Sequence, residues 1–320
     1  MTSTPLPPLT SIDYTFPQVW DSTMIVAARK CLRYFRNSYN NHLRPEGVAP
    51  PLLFGGTFAK GLETYRQAYY EFVGNHSLAL EAAYSAMVTA WGTNPTLLNQ
   101  FETKRTFERC VPALICYFEN YPIETDRLQP HINHDGRPTF EYSFAVPLED
   151  HIFPRMEDGS PLLYTGRMDT LGSYDGLPIF ADEKTTLSMG DKWADQWPTR
   201  HQFHGYGWAL NKLGYKAKHY LVRGIAIGTN DIRFRETPPL TIIPSLRNAF
   251  ASELATTLWM VKKAFEHEQA PRNFGDACYS YFRQCIYWAA CSTKPEFELG
   301  FLKTLPREKW DPLRITDGSE

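Results

Sequence analysis

The sequence lacks the features of membrane-spanning, secreted and low-complexity proteins. It has no run of 18 apolar residues, and its N-terminus has no basic region followed by an apolar one. We also find no internal repeat and no low-complexity block. These absences favour a soluble cytoplasmic protein that has no membrane partner.

A strong net charge is missing as well. The 320 residues include 33 lysines and arginines and 35 aspartates and glutamates, which gives a net charge of −2. A protein that coats nucleic acid with its whole surface is strongly basic, so this class is excluded. Any DNA binding must therefore depend on a local groove. The hydrophobic fraction of 43% is enough for a sizeable core.

Cysteine is scarce, and it is unevenly spaced. Six cysteines in 320 residues argue against a disulfide scaffold and favour metal binding, an iron–sulfur cluster or burial. Cys278, Cys285 and Cys291 are separated by only six and five residues, so they could converge on one centre. Structural zinc and iron–sulfur clusters usually take four ligands, whereas this run supplies three.

The clearest local signal is a predicted β-hairpin in the middle of the chain. Residues 162–171 and 177–184 are both typical of strands. Asp175 and Gly176, which lie between them, are typical of a two-residue hairpin turn. This turn predicts a register in which the numbers of facing residues sum to 351.

The predicted register brings charged residues together. Asp169 would face Asp182, and Arg167 would face Lys184. Strand alternation puts Asp182 and Lys184 on one face of the strand and Glu183 on the other. Two facing carboxylates repel each other, and a hard divalent cation would compensate for this repulsion. A solvated hairpin whose charges point outward is the simpler interpretation of the same pattern.

A predicted helix follows the hairpin and carries two polar residues on one face. Gln202 and Tyr206 are four positions apart, so they share that face. Pro198 and Thr199 favour a helix start, and Gly214 favours a stop. Together with the hairpin, these residues form an ordered set of three motifs: Gly166-x-x-Asp169, Asp182-x-Lys184 and Gln202-x-x-x-Tyr206.

This ordered set resembles the motifs of the PD-(D/E)XK nuclease superfamily, in the RecB-like branch that includes the CRISPR-adaptation-type iron–sulfur exonucleases. The resemblance implies an α/β restriction-endonuclease-like core, with a mixed central sheet flanked by helices and a helical N-terminal insertion. It implies a single nuclease domain closed by a cysteine cluster (21–295). The proline-rich start without a pattern predicts a flexible tail (1–20), and the weak periodicity at the end predicts a C-terminal extension (296–320). Compact proteins of this kind are frequent in phages, and the host cytoplasm would then be their location.

The resemblance also implies a reaction, which is the metal-dependent hydrolysis of DNA phosphodiester bonds. An exonuclease or end-processing enzyme that prefers single strands is favoured over a restriction enzyme. By this resemblance, Mg²⁺ or Mn²⁺ is bound by Asp169, Asp182 and the backbone carbonyl of Glu183. Lys184 would activate the attacking water. Gln202 and Tyr206 would position the strand or the scissile phosphate.

The cysteines enter the resemblance too. In iron–sulfur members of the superfamily, one cysteine precedes the nuclease core and three follow it. Cys31 is the early cysteine in this chain, and the late ones are Cys278, Cys285 and Cys291. This arrangement implies a [4Fe–4S] cluster that ties the two ends of the chain together. Zinc on the same thiolates and simple burial of the four residues are the alternatives.

One position departs from the pattern of the family. Relatives carry Gly-x-x-x-His before the core, and the histidine is a metal ligand. Aligning Gly55 places Ala59 at the position of the histidine, while Glu63 lies one turn further on and could reach the site directly or through water. Three hypotheses for function follow: an active nuclease, a DNA-binding protein that has lost turnover, or a processing subunit of a recombination or CRISPR-adaptation complex.

The other segments supply helices, a strand and a groove. Between residues 140 and 146, apolar residues alternate with Glu141 and other small or polar ones, which predicts a half-buried strand. One helix is predicted to begin at a cap on Asp21 or Ser22 and to run through residues 24–39, with Cys31 inside it. Further helices are predicted from Phe54, over residues 77–91 and over residues 96–120. A basic groove with two tryptophans for base stacking is predicted from Arg200, Lys212, Lys216, Lys218, Arg223, Trp193 and Trp197.

Overall fold

The computed structural model describes residues 12–44, 50–92, 106–228, 231–280 and 283–304. The chain divides into two compact units, each built from several segments. The first unit combines Met1–Glu46, Phe144–Gly166 and Ser245–Glu320, and the second combines Gly47–Ser143 and Arg167–Pro244. Most of the predicted tail and of the C-terminal extension lies outside the described residues. No helix in the described part of the chain is long and apolar enough to cross a membrane.

The strands belong mainly to one mixed sheet. Within the described residues this sheet has eight strands: β1, β5, β6, β7 and β8 follow one another, β3 and β4 pair with β5, and β9 pairs with β7. Numbered in chain order, the strands are β1 (Val19–Asp21), β2 (Leu43–Arg44), β3 (Leu128–Pro130), β4 (Phe140–Leu148), β5 (Leu162–Tyr174), β6 (Leu177–Thr186), β7 (His219–Ile227), β8 (Ile232–Glu236), β9 (Leu240–Thr241), β10 (Tyr279–Ser280), β11 (Arg283–Gln284) and β12 (Lys303–Thr304).

The helices are concentrated before β3 and between the later strands. A π-helical turn (Arg36–Asn40) and two 3₁₀ segments (Asp191–Thr199 and Pro295–Phe301) accompany them. In chain order the α-helices are α1 (Ser22–Lys30), α2 (Leu32–Phe35), α3 (Pro50–Glu71), α4 (His76–Trp91), α5 (Phe107–Asn120), α6 (His201–Lys212), α7 (Pro244–Glu266) and α8 (Trp288–Cys291).

β5 and β6 form the predicted hairpin. Both turn residues have positive φ, 49° at Asp175 and 81° at Gly176, as a type I′ turn requires. The antiparallel pairing runs from the turn to Thr170 and Ala181, so the predicted hairpin and its register are confirmed. The pairing ends one residue short of the two aspartates that the register would place face to face.

Helices cover both faces of the sheet in the second unit. β6 and β7 are parallel, and α6 lies in the crossover that such a pair needs. On one face, Phe203 of α6 stacks on Tyr220 of β7 with ring centroids 4.7 Å apart. On the other face, Ile225 and Ile227 of β7 pack in one core with residues of α3, α4 and α5. The predicted mixed α/β sheet flanked by helices is therefore confirmed.

The first unit contains β1, which pairs in parallel with the first residues of β5. Asp21 caps α1 as predicted, because its carboxylate accepts a 2.8 Å hydrogen bond from the backbone N–H of Met24. The helix ends at Lys30, and Cys31 has an extended backbone with φ −168° and ψ 122°. The prediction that Cys31 lies inside a helix is wrong, because the backbone leaves the helical conformation there before α2 begins.

Two other predicted helices have different bounds. The helix expected from Phe54 begins at Pro50, in agreement with the tolerance of proline in a first helical turn. The helix expected over residues 96–120 is α5, which begins at Phe107 after Thr106 at its N-cap. Residues 93–105 lie outside the described part of the chain.

The close approach of β3 to β5 makes Gly172 sensitive to substitution. A Cβ at this position would lie 2.0 Å from the backbone carbonyl oxygen of Gln129, so β3 would have to move. We expect Gly172→Ala to lower the free energy of unfolding by about 1–3 kcal/mol in urea denaturation. Gly190→Ala is the control, because a Cβ there meets nothing within 4 Å. Equal stabilities for the two variants would contradict this packing.

Candidate active site

The candidate site lies in the second unit, where the pairing of β5 with β6 ends. Asp169 comes from β5 and Asp182 from β6. The Oδ2 atom of Asp169 accepts a 2.6 Å hydrogen bond from the backbone N–H of Glu183. The Asp169 carboxylate thus replaces a strand carbonyl as the partner of this N–H. Asp182 is buried, with an exposed fraction of 2%.

Polar side chains of α6 and β6 surround Asp182. Gln202 donates hydrogen bonds to Asp182 Oδ1 at 2.9 Å and to the Tyr206 hydroxyl at 3.0 Å. The Tyr206 hydroxyl donates to the backbone carbonyl of Arg167 at 2.7 Å. Lys184 Nζ lies 2.5 Å from Asp182 Oδ2. The structure therefore brings Lys184, Gln202 and Tyr206 to one buried carboxylate, and Gln202 and Tyr206 hold that carboxylate in place.

The carboxylates of the site lie in an unfavourable electrostatic environment. Burial raises the pKa of Asp169 well above its usual range, and the charges of Asp182 and Glu183 add to this effect. Burial also raises the pKa of Asp182, against the opposing charge of Lys184. Burial lowers the pKa of Lys184, but the charges of Asp182 and Asp169 prevail and raise it. The site carries an excess of negative charge, which favours the binding of a cation.

A cavity lies on the other face of β6, beside α3. Its volume is about 40 Å³. Ala59, which stands where the family pattern has a histidine, faces this space together with three carboxylates and one arginine. The lining residues are Gly55, Phe58, Ala59, Leu62, Arg66, Glu141, Asp169, Glu183 and Thr185.

Glu141 is the residue of this region that the sequence analysis missed. Its Oε2 atom lies 2.7 Å from Nε of Arg167, and its side chain is 13% exposed. Burial raises its pKa to about 7, with Arg167 opposing the rise and the charges of Glu63 and Glu183 adding to it. Its φ of 51° is unusual for a residue other than glycine. Strand alternation could not reveal Glu141, because a positive φ departs from the regular strand on which that pattern depends.

Glu183 is held on the face of β6 opposite Asp182, as the alternation predicts. Its Oε1 atom accepts hydrogen bonds from Arg66 at 2.5 Å and from the Tyr117 hydroxyl at 2.9 Å. Burial opposes ionisation, but the Arg66 guanidinium lowers the pKa of Glu183 to about 2. Glu183 is therefore anchored as a carboxylate by α3 and α5.

The predicted basic groove is wrong for Arg223 and for the two tryptophans, because these side chains are buried. Arg223 is 1% exposed and donates to Asp126 at 2.6 Å and to Glu236 at 2.7 Å, because it lies on an inner strand between these carboxylates. Trp193 and Trp197 are buried against each other with ring centroids 5.3 Å apart. Neither tryptophan presents a free face for stacking on bases.

Glu63 lies close to the site but has another partner. Its Oε2 atom is 2.9 Å from Lys60 Nζ, and its charge contributes to the raised pKa of Glu141. Glu63 is absent from the set of described residues that line the cavity. Glu63 thus acts on Glu141 through its charge and does not line the cavity.

The four cysteines of the predicted cluster all belong to the first unit and are free thiols of intermediate burial. The backbone N–H of Cys285 donates to the carbonyl of Cys278 at 2.8 Å. Burial raises the pKa of Cys285, and the charges of Cys31 and Cys278 add to this. Cys285 and Cys291 pack against one small hydrophobic cluster. Three of the thiols are thus close enough to influence one another, and the fourth shares packing with one of them.

Within the described residues, no group of three or more histidine, cysteine, aspartate or glutamate side chains is arranged to hold a metal ion. This finding applies both to the carboxylates and to the thiols. Any ion bound at either place would therefore need further ligands, such as water, or a movement of side chains.

Comparison with known proteins gives distant structural similarity. Neither a family model nor a curated protein matches the sequence. The crystal structure of a candidate exonuclease from Eubacterium rectale is similar over 82% of this chain and 87% of that chain, with 14% identity and a TM-score of 0.46. The crystal structure of SSO0001 is similar over 78% of each chain, with 12% identity and a TM-score of 0.33. At these values neither similarity by itself establishes a shared fold, activity or substrate.

Glu141 generates a prediction about the pH dependence of stability. Its pKa rises from 4.5 to about 7 in the folded protein, so the folded state binds more protons than the unfolded state between these values. The free energy of unfolding should therefore fall as the pH rises through this range, by at most on the order of 3 kcal/mol for this group. Glu141→Gln should flatten the slope in urea denaturation, whereas the exposed control Glu119→Gln should retain it. An unchanged slope in Glu141→Gln would contradict the assignment.

Proposed function

We propose that this protein is a metal-dependent DNA nuclease of the PD-(D/E)XK superfamily, in its RecB-like branch, and that it hydrolyses phosphodiester bonds. The observation that carries this proposal is the contact of Lys184 and Gln202 with Asp182, next to Asp169. A buried carboxylate that is paired with a lysine, beside a second carboxylate, suits phosphoryl chemistry, in which charge must be neutralised rather than covalent bonds formed to the protein.

The donor atoms fit Mg²⁺ or Mn²⁺. The carboxylates of Asp169 and Asp182 and the backbone carbonyl of Glu183 are hard oxygen ligands, and the carboxylates are under-neutralised. When bound, such a cation would polarise the phosphodiester and favour ionisation of the attacking water. Mg²⁺ commonly keeps several waters, so the small number of protein ligands is compatible with this assignment.

The other side chains act by position and charge. Lys184 extends from β6 toward the same carboxylate and is one-third exposed, so its ammonium would lie beside a phosphate bound there. Gln202 and Tyr206 connect Asp182 to the backbone of β5. We assign them as positioning residues for Asp182, rather than as direct contacts of the DNA strand. The resemblance to the RecB-like branch favours single-stranded DNA ends as the substrate.

A second candidate function is DNA binding without turnover. Ala59 lines the cavity at the position of the family's histidine and has no atom that can bind a metal. A site that lacks one of its usual ligands holds its cation more weakly, and hydrolysis would decrease accordingly. Binding of single-stranded DNA without cleavage at any Mn²⁺ concentration would favour this candidate over the nuclease.

Hydrolysis tests the proposal directly. Asp182→Asn and Lys184→Gln should each lower the rate of Mn²⁺-dependent digestion of end-labelled single-stranded DNA by about 100-fold or more, because they remove charge that the transition state needs. Asp175→Asn is the matched control, since Asp175 lies at the turn of the same hairpin and is ion-paired with Arg127. Digestion at the wild-type rate by Asp182→Asn would rule out this site.

We also propose that the first unit holds a [4Fe–4S] cluster on Cys31, Cys278, Cys285 and Cys291, with zinc as the rival. The support is chemical: four free thiols lie in one unit, and the charges of two of them raise the pKa of a third. An iron–sulfur cluster is bound by cysteine thiolates, and its iron ions would relieve the repulsion among those thiolates.

The cluster predicts a colour. Anaerobically purified protein should be brown with broad visible absorbance, and Cys285→Ser should bleach it and release iron. Cys116→Ser is the matched control, because Cys116 is a half-buried cysteine on α5 in the other unit. Colourless protein with one equivalent of zinc would replace the cluster with a zinc site.

A further inference from the structure

We propose that Arg167 binds a backbone phosphate of the DNA strand, and that the carboxylate of Glu141 occupies the same guanidinium in the DNA-free protein. The DNA and Glu141 would then compete for one side chain. The inference deepens the proposed function and rests on it in one respect, since DNA is taken as the ligand.

The first observation is the place of Arg167 in the fold. It lies two residues before Asp169 on β5, so strand alternation puts both side chains on one face, with their Cα atoms about 6.5 Å apart. The backbone carbonyl of Arg167 accepts the 2.7 Å hydrogen bond from the Tyr206 hydroxyl. Because Gln202 links that hydroxyl to Asp182, the backbone of Arg167 is fixed relative to the candidate site.

The second observation is that the guanidinium is weakly held. The Arg167 side chain is 47% exposed, and its Nε atom lies 2.7 Å from Oε2 of Glu141. That oxygen nevertheless has no hydrogen-bond partner among the described residues, so the Nε–H group is not directed at it. Glu141 also lines the cavity, which has room for a water that could replace Arg167 as its partner. The ion pair can therefore open at little cost.

The third observation is that two other cations of this region have firm partners. Arg66 is buried in its ion pair with Glu183. Lys60 is as exposed as Arg167, but it donates a 2.9 Å hydrogen bond to Glu63. Arg167 differs from both, because it is exposed and its close contact is not a directed hydrogen bond. Its guanidinium is thus the one of the three that is free to turn toward a ligand.

The chemistry of the guanidinium indicates what the ligand is. Its planar group of N–H donors can give two parallel hydrogen bonds to a phosphate as readily as to a carboxylate. The carboxylates of the candidate site repel a polyanion, so a strand that brings one phosphate to Lys184 needs a further cation nearby. Arg167 would supply this cation by exchanging the Glu141 carboxylate for a phosphate of the same strand.

Binding of a fluorescently labelled single-stranded oligonucleotide to the full-length protein tests the inference. Fluorescence anisotropy is measured in EDTA, so that no metal-dependent hydrolysis takes place. Arg167→Gln should weaken binding about tenfold, or about 1.4 kcal/mol. It should also lower the slope of log affinity against log salt concentration by about 0.7, as expected for one phosphate contact on a single strand. Arg127→Gln is the matched control, because Arg127 is also an exposed arginine paired with a carboxylate of this hairpin, and its affinity should stay within about twofold of wild type.

Glu141→Gln separates competition from a structural ion pair. If Glu141 competes with DNA, this variant should bind the oligonucleotide about threefold more tightly than wild type, and the same change should have no effect in the Arg167→Gln background. If the pair only stabilises the fold, both single variants should lower the melting temperature and shift the affinity in the same direction. That result, wild-type affinity in Arg167→Gln, or a wild-type protein that binds no oligonucleotide in EDTA would overturn the inference. Failure of the wild-type protein to cleave bound DNA in Mn²⁺ would overturn the proposed function alone.

Discussion

The burial of several carboxylates where the β5–β6 ladder ends is the constraint on which the rest of the second unit depends. Asp182 and Glu183 are adjacent on one strand, and Asp169 bonds the backbone between them. Each negative charge needs compensation at low dielectric. Lys184 and Gln202 supply it on one face, and Arg66 on the other. The helices α3 and α6 are thereby fixed to the same short stretch of β6.

Much of this arrangement follows from local sequence. A type I′ turn needs a positive φ at both central residues, and Asp175 and Gly176 adopt it. This turn determines the register of the hairpin. Strand alternation then separates Asp182 from Glu183 correctly. The four-residue spacing of Gln202 and Tyr206 likewise places both on one face of α6. The residues that form these features lie within about forty positions of one another, so a local sequence pattern can predict them.

The rest depends on tertiary contacts that no local pattern contains. Glu141 departs from strand alternation through a positive φ. Arg223 looks like a surface arginine in the sequence, yet two carboxylates from distant segments enclose it. The sequence predicts one continuous helix with Cys31 inside it, whereas the backbone is extended at Cys31. For Arg223, partners far away in sequence determine the environment of the side chain.

Because side chains alternate between the two faces of β6, neighbouring residues have different contacts. Asp182 faces Lys184 and α6, where the proposed reaction takes place, whereas Glu183 anchors the strand to α3 through Arg66. Loss of the Glu183 charge would leave Arg66 buried without its ion pair, which is costly. The raised pKa values of Asp169, Asp182 and Glu141 mean that the cation-free fold stores electrostatic repulsion. A divalent cation that binds the folded state alone would relieve this repulsion and stabilise the fold by mass action. The cation that we propose for catalysis would therefore couple its own binding to folding through Asp169 and Asp182.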